Sequence, residues 1–249
     1  MSHGESMSQA GPIRFVHRGR VREVRGVDPN TTVLNWLRGA GLTGTKEGCA
    51  EGDCGACTVA IGEEAGGRLR YRALNACIQF VPTLDGKALV TVEDLRGADG
   101  ALHPVQRAMV EQHASQCGFC TPGFVMSLFA LYHAPGRPDR ARINDAIAGN
   151  LCRCTGYRPI VDAGLAACAG TRKDRFARAE KDTLALEGRS LDGERVLWSP
   201  EGGLRRGRAW QRRPTPLKRD PAFPLPIAGR HQDLAWTVTG MLLRRREIG

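Results

Sequence analysis

The spacing of its cysteines constrains this chain more than any other property of its sequence. Eight of the nine fall into two sets of four: Cys49, Cys54 and Cys57 with Cys77, and Cys117 and Cys120 with Cys152 and Cys154. The first set reads C-x4-C-x2-C and then a fourth cysteine after nineteen residues; the second reads C-x2-C, thirty-one residues, then C-x-C. Each is spaced like the ligands of an iron-sulfur cluster, which implies an electron carrier.

The first spacing is that of plant-type [2Fe-2S] ferredoxins. Glycines 48, 52 and 55 within this loop allow positive φ angles and let backbone approach a cluster closely. Backbone N–H groups can then point at sulfur, which raises the reduction potential. Zinc is the alternative, but zinc sites favour paired C-x2-C units and the x4 spacing is foreign to them. The second set fits zinc or a cluster equally well by spacing alone.

Local patterns place the second set on turns between helices. Thr121 and Pro122, a capping residue and a proline suited to a first helical position, start a helix through Phe124, Val125, Leu128, Phe129 and Leu131 that stops near His133, before Pro135 to Pro138. A second helix follows Asp139, with Ile143 and Ile147 inward and Gly149 closing it. Cys152 and Cys154 then occupy the turn before a helix that begins near Tyr157 and carries Ile160, Val161 and Leu165.

The chain divides where the chemistry does. Residues 11–97 alternate with period two: a hairpin from Ile13 to Val24 turning at His17 to Arg20, a short helix with Val33, Leu34, Trp36 and Leu37, and strands at 58–61, 70–74 and 89–92. Residues 98–172 change to helical period, with Val105, Met109 and Val110 marking the first helix. Residues 173–249 carry most of the net charge of +10, in arginine runs without strand or helix periodicity, and are expected to be irregular or disordered. Charge in an unpatterned tail argues against nucleic acid as a partner.

The N-terminus lacks the apolar core of a secretory signal, and no stretch approaches eighteen apolar residues. Nine cysteines in such a chain argue for metal rather than disulfides, a cytoplasmic location and no membrane partner. Cys168 reads as a small apolar residue on a helix. His103, His113 and His133 sit near helix ends and read as satisfied or exposed, and Glu47, Glu51 and Asp53 as a solvated rim. No residue has the setting of a substrate-processing acid, base or nucleophile, so catalytic residues are expected to be absent.

Four stretches carry a resemblance. They are Gly44 to Cys57, Leu74 to Cys77, Gln116 to Ser127, and Gly149 to Ile160 with its Asn-Leu-Cys-Arg-Cys-Thr-Gly-Tyr-Arg-Pro interior. Over residues 11–170 the chain resembles the iron-sulfur half of the molybdenum hydroxylases, in particular the small subunits of bacterial xanthine dehydrogenases. The resemblance implies an α+β fold: a β-grasp ferredoxin domain, then an all-α four-helix domain, each holding one [2Fe-2S] cluster on its four cysteines. It implies a large partner subunit carrying molybdopterin, close to the helical cluster, with Gln116 as a candidate molybdopterin contact. Electrons would pass from molybdenum towards FAD and NAD, in purine oxidation if the likeness extends that far. In relatives a flavin domain follows, but here Arg230 and His231 stand where a flavin-phosphate turn wants small residues. Residues 173–249 are therefore expected to be a linker and a truncated or degraded flavin-domain remnant. The alternative function is an iron-sulfur module that binds clusters but lacks a working flavin site.

Overall fold

A computed structural model describes residues 11–64, 69–97, 99–170, 174–178, 194–199 and 203–208. Five strands form one mixed sheet in the order β2-β1-β5-β3-β4: β1 (Ile13–His17), β2 (Arg20–Val24), β3 (Thr58–Glu64), β4 (Leu69–Asn75) and β5 (Ala88–Val90). β1 and β5 run parallel and the other pairs antiparallel. The hairpin turns at Arg18 and Gly19, both at positive φ. α1 (Val33–Gly39) starts at Thr32, whose hydroxyl accepts the Asn35 N–H, and buries Val33, Leu34 and Leu37 against Phe15, Val59 and Ile61.

The helical part comprises α2 (Pro104–Glu111), α3 (Thr121–Tyr132), α4 (Arg140–Ile147) and α5 (Arg158–Ala169). α3 is buried on all sides from Gly123 to Tyr132, because β3 and β4 cover one flank and α2, α4 and α5 the others. A helix apolar all round has its natural place at the centre of a core. Along β3 the alternation is correspondingly two-sided: Val59 and Ile61 pack with α1, while Ala60 packs with α3. The sheet and the helices pack on one another through α3 against β3 and β4.

Some local expectations need correction. β5 ends at Val90, since Thr91 and Asp94 close a capping box around a 3-10 turn, Val92–Asp94. The N-cap of α3 is Cys120 rather than Thr121, whose hydroxyl instead lies 2.8 Å from Ser115 Oγ. Of the three residues that mark the first helix, Val105 and Met109 are buried in α2 and Val110 is 64% exposed. The segment expected to be irregular holds a 3-10 turn, Arg175–Arg178, and a hairpin of β6 (Glu194–Ser199) and β7 (Gly203–Arg208). Its remainder, including 227–242, lies outside the described residues.

Residues 174–176 fasten sheet to helices. Asp174 Oδ2 lies 2.7 Å from His103 Nε2 and 3.1 Å from His133 Nε2. Phe176 is buried against Phe129 and its carbonyl accepts from the Tyr71 hydroxyl of β4, while Arg175 donates to the carbonyls of Asp94 and Arg96. Burial pushes the Asp174 carboxyl up, but hydrogen bonds from both histidines hold it far below the usual range. A depressed carboxyl contributes stability that is complete above its unfolded value of about 3.9 and is lost as pH falls towards the folded value. Asp174→Asn is therefore expected to lower unfolding free energy by about 1–3 kcal/mol near neutrality and to reduce its acid dependence below about pH 4. Urea titrations of both proteins at several pH values check this.

Candidate metal centres

The first thiol set sits between α1 and β3 and at the end of β4. Its loop is shaped by local constraints: Gly52 and Gly55 adopt positive φ, and Asn75 Nδ2 donates to the Gly52 carbonyl. A Cβ on Gly48 would lie 2.8 Å from Cys54 Sγ, so glycine there lets backbone reach the sulfur. Cys49 N–H and Cys54 Sγ are 3.3 Å apart and Cys54 N–H and Cys49 Sγ 3.4 Å, a reciprocal pair. Cys57 and Cys77, both buried, form the other pair through their side chains.

The second set joins two turns. Cys117 pairs with Cys154 and Cys120 with Cys152. The Cys152 to Tyr157 turn is held by Tyr157, whose hydroxyl accepts the Cys152 N–H at 2.8 Å and whose own N–H donates to Thr155 Oγ1. Cys117 and Cys154 reach the surface, while Cys120 and Cys152 lie deeper.

Electrostatics divide each set. Backbone N–H groups of Glu51 and Cys54 bring the Cys49 thiol down to about 6. Burial, with Cys57 beside it, pushes Cys77 up to about 12. Cys120 is likewise pushed up to about 12 by burial and by Cys152. Cys117 is lowered, chiefly by the Phe119 N–H. For Cys152 burial pulls upward but hydrogen bonds from Thr155 prevail and lower it. Thiolates crowded this way repel one another until a cation is shared among them.

The donor sets fit a two-metal rhomb better than one ion. Four thiolates around a single zinc at 2.3 Å would lie about 3.8 Å apart, all mutually close. Among the described residues, three or more ligand atoms gather within 4.8 Å of one another only at His103, His133 and Asp174. The thiols are close two by two, as a [2Fe-2S] rhomb with two cysteines on each iron requires.

The histidine cluster escaped the sequence reading because its members are far apart in the chain. It is built for structure. His103 Nδ1 accepts the Val105 N–H as the cap of α2, so Nε2 carries the proton and donates it to Asp174. A metal at Nε2 would need that proton removed and the cap broken. His113 is exposed at positive φ, Gln116 is exposed beside Cys117, and Cys168 is buried on α5. Glu47 pairs with Arg38 at 3.3 Å, and Glu51 and Asp53 face solvent.

Comparison with known proteins agrees with this geometry. Residues 15–81 match the family model for a 2Fe-2S iron-sulfur cluster binding domain, and residues 91–165 that for a [2Fe-2S] binding domain. The chain is 48% identical to xanthine dehydrogenase of Emericella nidulans over 153 residues, 61% of this chain and 11% of that protein. It is 47% identical to aldehyde oxidase 1 of Cavia porcellus over 157 residues, 62% of this chain and 12% of that protein. The chain therefore spans about a tenth of the length of these curated relatives. A crystal structure of quinoline 2-oxidoreductase from Pseudomonas putida 86 contains a chain matched over 98% of its length and 70% of this one, with 32% identity and a TM-score of 0.54. No helix among the described residues is long and apolar enough to cross a membrane.

In metal-free protein at pH 7, Cys49 is expected to react with iodoacetamide well before Cys77 and Cys120, because it alone of the three titrates near 6 while the others titrate near 12. Peptide mass spectrometry after brief alkylation measures the order.

Proposed function

This chain belongs to the molybdenum hydroxylase family as its iron-sulfur portion, and from that membership we propose that it relays electrons between a molybdopterin-bearing partner subunit and a flavin acceptor that passes them to NAD. The observation that carries the reading is the two-by-two approach of thiols in both sets. Cys49, Cys54, Cys57 and Cys77 hold one [2Fe-2S] cluster, and Cys117, Cys120, Cys152 and Cys154 the other. When bound, such clusters supply one-electron redox chemistry, and the protein's share is ligation, spacing and electric field.

The chain's own residues perform that share in identifiable ways. Backbone N–H groups aimed at Cys49 favour its charged form and stabilise added negative charge at the sulfur. Burial of Cys57 and Cys77 keeps water from one side of the first set. The second set opens outward, with Cys117, Cys154, Phe119 and Leu151 exposed and Gln116 alongside, which supports reading it as the face for the molybdopterin partner, with Gln116 as a candidate contact to the cofactor.

Substrate choice belongs to that partner. Relatives named for xanthine, for aldehydes and for quinoline all resemble this same thiol-bearing part, which does not distinguish among them. Purine oxidation is one of the substrate readings the relatives' names offer, and this chain's residues do not single it out. A second reading keeps both clusters but no flavin, and is motivated by Arg230 and His231 in the segment that would have to cradle FAD.

Purified protein is expected to contain iron and sulfide for both clusters and to show two distinct electron-paramagnetic signals on reduction. Cys54→Ser is expected to remove the ferredoxin-type signal and leave the other. Loss of both signals at once would contradict independent sites, and absence of flavin absorbance in the same sample would exclude NAD reduction by this chain alone while leaving the relay to a separate flavin acceptor.

A further inference from the structure

The two thiol loops are bonded to each other as well as to their own elements. The Leu151 N–H donates to the Cys54 carbonyl at 2.9 Å, and Leu151 adjoins Cys152. One hydrogen bond and one intervening peptide thus join a member of the first set to a member of the second. The Phe119 ring, between Cys117 and Cys120, lies 3.7 Å from where a Cβ of Gly48 would stand.

Asn150 braces this junction. It is 4% exposed, and its carboxamide spans three elements. Nδ2 donates to the Gly55 carbonyl at 2.9 Å and to Thr58 Oγ1 at 3.0 Å; Oδ1 accepts from Ser127 Oγ of α3 at 2.7 Å. The amide orientation is forced, because a carbonyl oxygen can only accept and so must face the NH2 group. The surroundings leave no slack. A Cβ on Gly123 would overlap the Gly55 carbonyl, and one on Gly55 would overlap the Gly149 carbonyl and the Asn150 side chain. The Gly55 carbonyl also accepts from the N–H and the hydroxyl of Thr58, so alanine would remove one of its three donors and take from the buried Ser127 hydroxyl its acceptor, aspartate would set a carboxylate against that carbonyl, and glutamine is a methylene too long for a filled site.

We propose that Asn150 is a positioning residue that fixes the spacing and mutual orientation of the two thiol sets, and that it does so by holding the Cys54 carbonyl against the Leu151 amide. This rests on the reading that each set holds a cluster, and it adds that the separation between them is governed by one uncharged side chain that touches no sulfur. Because Asn150 grips both loops at once, its loss lets them move relative to each other without removing any ligand.

The test uses the full chain with its clusters, as wild type, Asn150→Ala, Thr58→Val and Ser127→Ala. Iron and sulfide content and the two electron-paramagnetic signals are measured first, then the spin-spin splitting in the fully reduced protein and hydrogen exchange at the Leu151 amide. Asn150→Ala is expected to retain both signals, with an altered, broadened splitting and Leu151 exchange faster by roughly tenfold or more. Ser127→Ala, which leaves both bonds to the first loop, is expected to shift the splitting in the same direction by less. Full clusters with unchanged splitting and unchanged exchange in Asn150→Ala overturn the proposal. Should that variant fail to fold, unchanged values in both Thr58→Val and Ser127→Ala overturn it instead. A wild-type chain without clusters would refute the relay, and the Leu151 exchange rates, readable without iron, would then decide the positioning role alone.

Discussion

The carbonyl of Gly55 meets Gly123 at the start of α3 with no side chain between them, and the rest of the molecule is arranged around that contact. Gly55 lies between Cys54 and Cys57, and Gly123 lies three residues after Cys120. Backbone touching backbone is the closest approach two elements can make, so both thiol loops are drawn to one place. Only a helix buried on every side can serve as the fixed partner, since an exposed flank would let it pivot. That explains why α3 is apolar all round while α2 and α4 are amphipathic. It also explains why β3 is buried on both faces, an uncommon burden for a strand in a largely antiparallel sheet.

Thiol chemistry adds a second constraint that the fold must answer. Each set pairs a sulfur whose charged form is favoured with one whose charged form is opposed: Cys49 against Cys77, and Cys117 and Cys152 against Cys120. Without metal the raised member of each such pair keeps its proton and can donate it to its neighbour, Cys77 to Cys57 and Cys120 to Cys152. Metal binding must displace those protons, which couples loading to pH and to the stability of the loops. The loops are tied to β4 by Asn75 and to α3 by Ser127 through Asn150.

The elements whose signals are local were legible in the sequence. Thr32 and Asp139 cap helices where their residue types predict, and the hairpin turns where Arg18 and Gly19 allow positive φ. Cysteine spacing sufficed for the thiol sets because ligand geometry limits the loops that can supply it. Non-local features were not legible. Asn150 looks like an ordinary turn residue until Gly55, Thr58 and Ser127, up to 95 positions away, are brought around it. The bonds from Asp174 to His103 and His133 carry no motif, since each histidine alone resembles any residue near a helix end. Thr121 misled because its hydroxyl found Ser115, a competing partner that spacing rules do not weigh.

The surroundings of the two sets differ in their charge. Around the first, exposed Glu51 and Asp53 place negative charge, Glu47 being paired with Arg38, and that charge would oppose added electrons; around the second, exposed Arg153 places positive charge, which would favour them. Taken alone these charges would hold electrons at the surface-facing set. They are exposed and screened by salt, however, whereas the backbone N–H groups pointing at Cys49 and Cys54 are fixed and adjacent to sulfur. Burial of Cys57 and Cys77 strengthens the local field of those dipoles and disfavours the extra charge they would have to stabilise. Were the first set to hold a cluster, its potential would be set by N–H dipoles against desolvation, with the acidic rim a lesser influence, so removing rim charges should matter far less than disturbing the 49–55 backbone.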